Sequence, residues 1–141
     1  MESRLDGEKV VVRLFKGDKL FESLKEAAER HGLQNAFVVS GVGMLHGFEL
    51  GFFVSKGKYD FKRFAEPHEL LSLDGNVCAQ PDGEIIVHLH GVLGDGGHNA
   101  IGGHLQGGTI SVAAEILLVK TGAKIVRKLE EETGLKGMYF G

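Results

Sequence analysis

Four of the seven histidines lie between Glu84 and Glu115, and two of these share one face of a predicted strand. His88 and His90 follow the β-forming run Ile85 to Val87, which begins shortly after an Asp-Gly turn. Because residues two apart in a strand point to the same side, the two imidazoles are neighbours on a rigid element. Such a pair is half of a metal site.

A third histidine, His104, is the best candidate to complete the set. It follows Gly102 and Gly103, whose missing side chains let neighbouring backbone approach closely, and it precedes another β-rich run. Three histidine ligands leave one position of a zinc ion open for water or substrate. The alternative interpretation is that the His-x-His pair is two polar residues on a solvent-facing strand.

His98 and Glu115 are further candidates for chemistry. His98 lies in the glycine-rich segment Gly94 to Asn99, and we interpret it as an exposed loop residue, with a reserve ligand or a proton carrier as alternatives. Glu115 lies in the long β-run Thr109 to Lys120, among apolar neighbours. A carboxylate in such surroundings is either paired or functional. We therefore consider Glu115 a support for the metal ligands or a general acid–base catalyst.

The hydrophobic patterning around these residues predicts an α+β fold. We expect a mostly antiparallel β-sheet, flanked by one main helix and short helical segments. No internal repeat or linker divides the chain. The β-forming runs predict strands over residues 10–15, 36–40, 45–54, 59–64, 69–73, 77–79, 85–90, 109–120 and 124–129.

The main helix is predicted to begin after Asp18, acting as its N-cap, and to end at Arg30 or His31. Gly32 is in the place of a left-handed residue that follows a helix. We interpret His31 as a helix-end residue that interacts with the dipole. The apolar face that repeats with helical spacing consists of Leu20, Phe21, Leu24, Ala27, Ala28 and His31.

Length and composition are those of one folded domain, residues 1–141, with 43% hydrophobic and 25% charged residues. Sixteen Lys and Arg against 19 Asp and Glu give a net charge of −3, which is no basic footprint for nucleic acid. The single Cys78 excludes an intrachain disulfide and is typical of a small core residue in a reducing compartment. With no signal-peptide or membrane-helix pattern, the chain is expected to be cytoplasmic.

The order of elements and several short motifs resemble the PPC (plants and prokaryotes conserved) domain. The motifs are Glu69 to Leu73 with Gly75-Asn76, His88-x-His90-Gly91, Gly102 to Leu105, and Ala114-Glu115. The resemblance covers nearly the whole chain. It implies an antiparallel sheet flanked by helices and a homotrimer built through that sheet. Prokaryotic members are often described as predicted DNA-binding proteins.

The fold of that family is also similar to acetolactate decarboxylase, in which a His-x-His pair and a Gly-Gly-His histidine bind zinc. Carried over to this chain, the similarity implies that His88, His90 and His104 are ligands of Zn²⁺. It does not supply the remaining catalytic residues of the decarboxylase. The chain also lacks the Arg-Gly-Arg-Pro hook of the plant proteins, and with it their obvious DNA contact.

Three functions are compatible with these features. The first is a zinc-dependent lyase or hydrolase that acts on a small carbonyl substrate. The second is a DNA-binding or DNA-architectural protein, with the basic and aromatic segment Lys56 to Phe64 as its contact. The alternative interpretation of that segment, which we favour, is a solvated sheet face. The third is an interaction scaffold in which zinc is structural and all four of its positions are closed by protein.

Overall fold

A computed structural model describes all residues, 1–141, and contains nine strands and one helix. The predicted dominance of antiparallel strands is confirmed, and the helical part is smaller than predicted, because no short helical segments accompany the main helix. The elements are β1 (Glu2–Asp6), β2 (Lys9–Phe15), α1 (Leu20–Arg30), β3 (Asn35–Ser55), β4 (Lys58–Phe64), β5 (His68–Ala79), β6 (Ile85–Gly94), β7 (Ala100–Lys120), β8 (Ile125–Leu129) and β9 (Lys136–Phe140).

The large sheet closes on itself through its two longest strands. Along one edge, β7 bonds β6 with its first half and β2 with its second half, and its other edge bonds β3. Strand β3 also bonds β5, and β5 bonds β6, so β3, β5, β6 and β7 form a ring. Three strands lie outside this ring: β2 pairs with β7, β1 pairs with β2, and β4 pairs with β3. Closure removes free strand edges from its centre.

Glycines explain why β3 is one bent strand where two were predicted. Gly41 and Gly43 suggested a break between residues 40 and 45, but β3 runs through them without interruption. The β3–β7 register shifts on both sides of this point, which marks irregularities of the β-bulge kind. At Gly43, where φ is +157°, an added Cβ would lie 2.4 Å from the carbonyl oxygen of Ala113. The bend therefore depends on glycine.

One cluster of 24 buried apolar residues forms the core. Helix α1 packs its predicted apolar stripe against the sheet, with Leu20, Leu24, Ala27 and Ala28 buried. The strands contribute alternate residues, as a half-buried sheet requires. Cys78 is buried as predicted, and its thiol donates to the carbonyl oxygen of Ile125 at 3.2 Å.

The ends of the helix differ from the prediction. The N-cap is Lys19 and makes no side-chain cap. The Asp18 carboxylate instead accepts a hydrogen bond from the backbone N–H of Phe15. It also forms an ion pair with the Met1 ammonium at 2.9 Å. At the other end, His31 Nε2 lies 2.9 Å from the hydroxyl of Ser3 in β1. The contacts of Asp18 with Met1 and of His31 with Ser3 are long-range, and local patterning does not contain them.

Strands β8 and β9 form a separate two-stranded sheet. The first of these strands was predicted, whereas β1 and β9 were not. Contacts between β5 and β8 place the small sheet beside the middle of the large one. No helix of the structure is both long enough and apolar enough to span a membrane.

Candidate metal centre

The three predicted ligand histidines lie together. His90 and His104 are directly opposite each other in the β6–β7 ladder, and His88 is on the same face of β6, two residues before His90. The ring centroids are 5.1 Å apart for His88 and His90, 5.2 Å for His88 and His104, and 5.4 Å for His90 and His104. One nitrogen from each ring can be chosen so that all three lie within 4.8 Å of one another. The strand period and the pairing of β6 with β7 together produce this cluster.

Gly51 brings an aromatic wall to the cluster. It is the cross-strand partner of His104 on one side and of Phe61 on the other. A Cβ at Gly51 would lie 2.5 Å from the Phe61 ring, so the ring occupies the space that a side chain would fill. Tyr59 is stacked on Phe61, with centroids 5.4 Å apart, and lies 5.3 Å from the His104 ring. The missing side chain thus allows β4 to cover one flank of the site.

Burial lowers the pKa of two of the three histidines. His88 and His104 are half-buried, and His90 is exposed. Burial lowers the pKa of His88 to about 4, and the Arg127 guanidinium and the other two imidazoles add to the effect. Burial, and then the neighbouring His90, also lower the pKa of His104. Both rings are therefore neutral near pH 7, the form in which imidazole binds metal ions.

One buried atom supports the fit of a metal ion. His104 Nδ1 is inaccessible to solvent and has no hydrogen-bond partner. Buried polar atoms without partners are rare, and each requires an explanation. Three converging imidazoles suit zinc and other borderline transition metals, and no thiolate is required. The three imidazole donors and the unpartnered Nδ1 of His104 therefore fit a metal ion bound by the predicted ligands.

Arg127 is a residue of the site that sequence reasoning missed. Its Nη2 donates to Asn76 Oδ1 at 2.6 Å and lies 3.4 Å from His88 Nδ1, while Nη1 donates to the Lys136 carbonyl oxygen at 3.1 Å. Asn76 and His88 are cross-strand partners in the β5–β6 ladder. Arg127 therefore connects the small sheet to the histidine cluster, and nothing in the spacing of the sequence indicates such a long-range contact.

These groups surround a cavity of about 520 Å³. A volume of this size is in the range of small-molecule sites. Histidines form part of its wall, the aromatic pair of β4 another part, and the small sheet the remainder. The lining residues are Tyr59, Phe61, Ile86, Val87, His88, His90, His104, Gln106, Arg127, Glu130, Leu135, Lys136 and Gly137.

The structure does not bring Glu115 or His98 to the cluster. Glu115 is eleven positions beyond His104 in β7, roughly 36 Å of strand, and it is paired with Arg13 at 3.5 Å on an exposed face. The role that we considered for Glu115 beside the metal ligands therefore has no basis in this geometry, and the structure agrees with the paired alternative. His98 is exposed in a turn that Asp95 closes by accepting from the backbone N–H groups of Gly97 and Asn99.

Comparison with known structures places this geometry among related proteins. A protein from Bacteroides thetaiotaomicron, described provisionally as DNA-binding, is 25% identical, with a TM-score of 0.89 over 99% of this chain and 96% of its own. A plant- and prokaryote-conserved (PPC) protein from Pyrococcus horikoshii is 32% identical, with a TM-score of 0.82 over 96% and 92%. A metal-containing protein from Archaeoglobus fulgidus is 29% identical, with a TM-score of 0.82 over 98% and 96%.

No protein with a curated description matches the chain. The sequence of residues 1–130 matches the Plants and Prokaryotes Conserved (PCC) domain, the family also abbreviated PPC. That match covers the helix, the whole large sheet and the three clustered histidines. The resemblance noted in the sequence is thereby confirmed, and the chain belongs to the plants and prokaryotes conserved domain family.

Proposed function

We propose that the chain binds one divalent transition metal ion, with zinc as the first choice, through His88, His90 and His104. The observation that supports this most directly is the convergence of their nitrogens to within 4.8 Å of one another at the wall of a cavity. The metal-containing protein from Archaeoglobus fulgidus, which has the same fold, adds support. Soft thiolate ligands are absent from the cluster, and imidazole nitrogen suits zinc.

The same geometry favours an open metal site over a closed structural one. A structural zinc requires four protein ligands, and no fourth His, Cys, Asp or Glu of this chain joins the cluster. The fourth direction has room, because the cavity of about 520 Å³ adjoins the rings. When bound, a metal ion with an open position supplies a Lewis acid that polarises a carbonyl oxygen. The three histidines would hold it, and the aromatic pair Tyr59 and Phe61 would limit the access of water.

Calorimetric titration of metal-free protein with ZnCl₂ tests this function. We expect one binding event per chain in the wild type, and loss of at least tenfold in affinity in His90→Ala, whose exposed side chain is the least important of the three for folding. Equal titrations of the two proteins would contradict the proposed site.

We further propose that copies of the chain assemble through the outer face of β2, β3 and β7, as a trimer of the kind that family resemblance implies. That face exposes apolar side chains that have no cover within one chain, including Val11, Val39, Val42 and Val112. The Arg13–Glu115 pair lies among them. Light scattering should give three times the chain mass of 15.2 kDa. A monomeric mass would contradict the assembly.

DNA binding is the second candidate function, and two observations favour it. The relative from Bacteroides thetaiotaomicron is described provisionally as DNA-binding, and Lys56, Lys58, Lys62 and Arg63 are exposed around β4. The net charge of −3 opposes it. Contacts between these cations and phosphates would give an affinity that falls steeply with salt. If the protein does not shift the mobility of a DNA duplex at low salt, this candidate is excluded.

A further inference from the structure

Arg127 is a partly buried cation that has no carboxylate partner. No Asp or Glu oxygen lies within 4.0 Å of its guanidinium, whereas Arg13, Arg30 and Lys136 all have one. Its hydrogen bonds go to the uncharged oxygens of Asn76 and Lys136, and its Nε is buried without a partner. A guanidinium stays charged at any ordinary pH, and a charge withdrawn from water requires compensation. An anionic ligand would supply this compensation.

The rest of the cavity adds positive charge. Lys136 lines it beside Arg127 and the three histidines. Glu130 is the one acidic residue in the lining, and its Oε2 accepts a hydrogen bond from the Thr133 hydroxyl. Neutral imidazoles do not compensate the charge of a metal ion, so occupation of the histidine cluster would make the cavity more positive. A negatively charged ligand therefore fits the cavity with or without metal.

The remaining walls are apolar and include flat rings. Tyr59 and Phe61 are nearly parallel, with an interplanar angle of 22°, and both line the cavity. Ile86, Val87 and Leu135 supply aliphatic surface. Aromatic faces stack favourably on flat, conjugated groups. The cavity thus combines an apolar wall suited to a planar body with a fixed cation that can take two oxygens side by side.

We infer that the cavity binds a small carboxylate with a flat, apolar body, its carboxylate on Arg127 and its body against Tyr59 and Phe61. The inference rests on the proposed function only in sharing its cavity, because the residues that hold Arg127, Asn76 and Lys136, are not metal ligands. Asn76 is a positioning residue in this arrangement, since its Oδ1 holds Nη2 of Arg127 at 2.6 Å. This ligand class narrows the substrate of the proposed function. A carbonyl substrate that also has a carboxylate group could bind Arg127 and the metal site together.

Fluorine NMR of 4-fluorobenzoate tests this inference on the metal-free full chain. Its line should broaden with wild-type protein, and the line of uncharged 4-fluorobenzamide should not. In Arg127→Gln the affinity for 4-fluorobenzoate should fall at least tenfold. Lys128→Gln is the matched control, because it removes one charge from an exposed neighbour on the same strand, and it should bind as the wild type does. Unlabelled benzoate should displace the probe better than cyclohexanecarboxylate, which is not flat.

Three results would overturn the inference: no broadening of 4-fluorobenzoate at millimolar concentration, equal binding of the amide, or equal binding by Arg127→Gln. Displacement by equimolar inorganic phosphate would assign the site to phosphate instead of carboxylate. The comparison of acid with amide uses the wild type alone, so it stands even if Arg127→Gln does not fold. Titration of the same metal-free proteins with ZnCl₂ separates the two proposals, since Arg127-dependent binding of 4-fluorobenzoate without zinc affinity would contradict only the proposed function.

Discussion

His90 and His104 face each other across the β6–β7 ladder, with ring centroids 5.4 Å apart. Directly opposed residues in an antiparallel pair have side chains within contact distance, so the ladder itself holds the two rings together. His88, on the same face of β6, completes the cluster. The preorganisation of these ligands comes from backbone hydrogen bonds and not from flexible loops, which is the arrangement that a tight metal site requires. The predictions below follow from this framework.

Gly51→Ala should weaken metal binding and lower stability. The new Cβ would lie 2.5 Å from the Phe61 ring, which must move away from its place beside His104. Overpacking of this kind costs about 1–3 kcal/mol. Urea unfolding and zinc titration measure the two effects. Gly122→Ala is the control, because nothing lies within 4 Å of the Cβ that it adds. Equal stability of both variants would show that the Phe61 ring is not confined.

Gly75→Ala should be more damaging than Gly51→Ala. The backbone at Gly75 has φ +150°, and an added Cβ would lie 2.0 Å from the carbonyl oxygen of His88. A backbone atom cannot move aside as a side chain does, so we expect a loss of about 3–5 kcal/mol or failure to fold. Thermal unfolding followed by circular dichroism measures it. A melting temperature within a degree or two of the wild type would contradict the close approach of β5 and β6 at this point.

The stability of metal-free protein should fall as the pH is lowered from 6.5 toward 4. The pKa of His88 is lowered to about 4 in the folded chain, mainly by burial, and that of His104 is lowered as well. Unfolded chains, with a histidine pKa near 6.5, therefore bind more protons in this window, and stability rises with pH across it. Above pH 6.5 the full contribution is present.

Urea midpoints between pH 7 and pH 4.5, with a chelator present, measure this dependence. Other groups also titrate in the window, so the informative quantity is the difference between the wild type and His88→Gln, which should have the shallower pH dependence. His98→Gln, at an exposed turn, is the control and should follow the wild type. Parallel curves for all three proteins would contradict the buried, neutral state of His88.

Glu115→Ala should leave metal binding unchanged. Its carboxylate contacts Arg13 on the outer face, far along β7 from His104. Within one chain the ion pair is exposed and contributes little stability, of the order of 0–1 kcal/mol, so any larger loss would come from the proposed assembly. Metal content equal to that of the wild type is expected by elemental analysis. A stoichiometric loss of metal in Glu115→Ala would show that this carboxylate reaches a metal site, for instance in another copy of the chain.

Local patterning predicts the ligands better than it predicts their surroundings. The positions of His88 and His90 on one face follow from the two-residue period of a strand, and Gly103 beside His104 indicated a close approach. Patterning alone does not contain the β6–β7 register, which opposes His104 to His90, because pairing depends on contacts between distant segments. The Gly-Gly context of His104 indicated the third ligand without that register, and the resemblance to a known family implied the same choice.

The misses have the same physical origin. Arg127, Asn76 and Tyr59 meet the cluster through strands far apart in the sequence, so their spacing has no period to detect. Gly43 and Gly75 suggested chain breaks, but both lie inside continuous strands, where they allow backbone to approach closely. Glycine indicates a special backbone position and does not tell which kind.

Elemental analysis by mass spectrometry of untagged protein, never exposed to chelator, tests the central claim most directly. Wild type and His98→Ala should each contain about one zinc or other divalent transition metal ion per chain, and His104→Ala should contain almost none. His98→Ala is the control because it removes an exposed histidine outside the cluster. No metal in the wild type, or equal metal in His104→Ala, would contradict a metal centre at His88, His90 and His104.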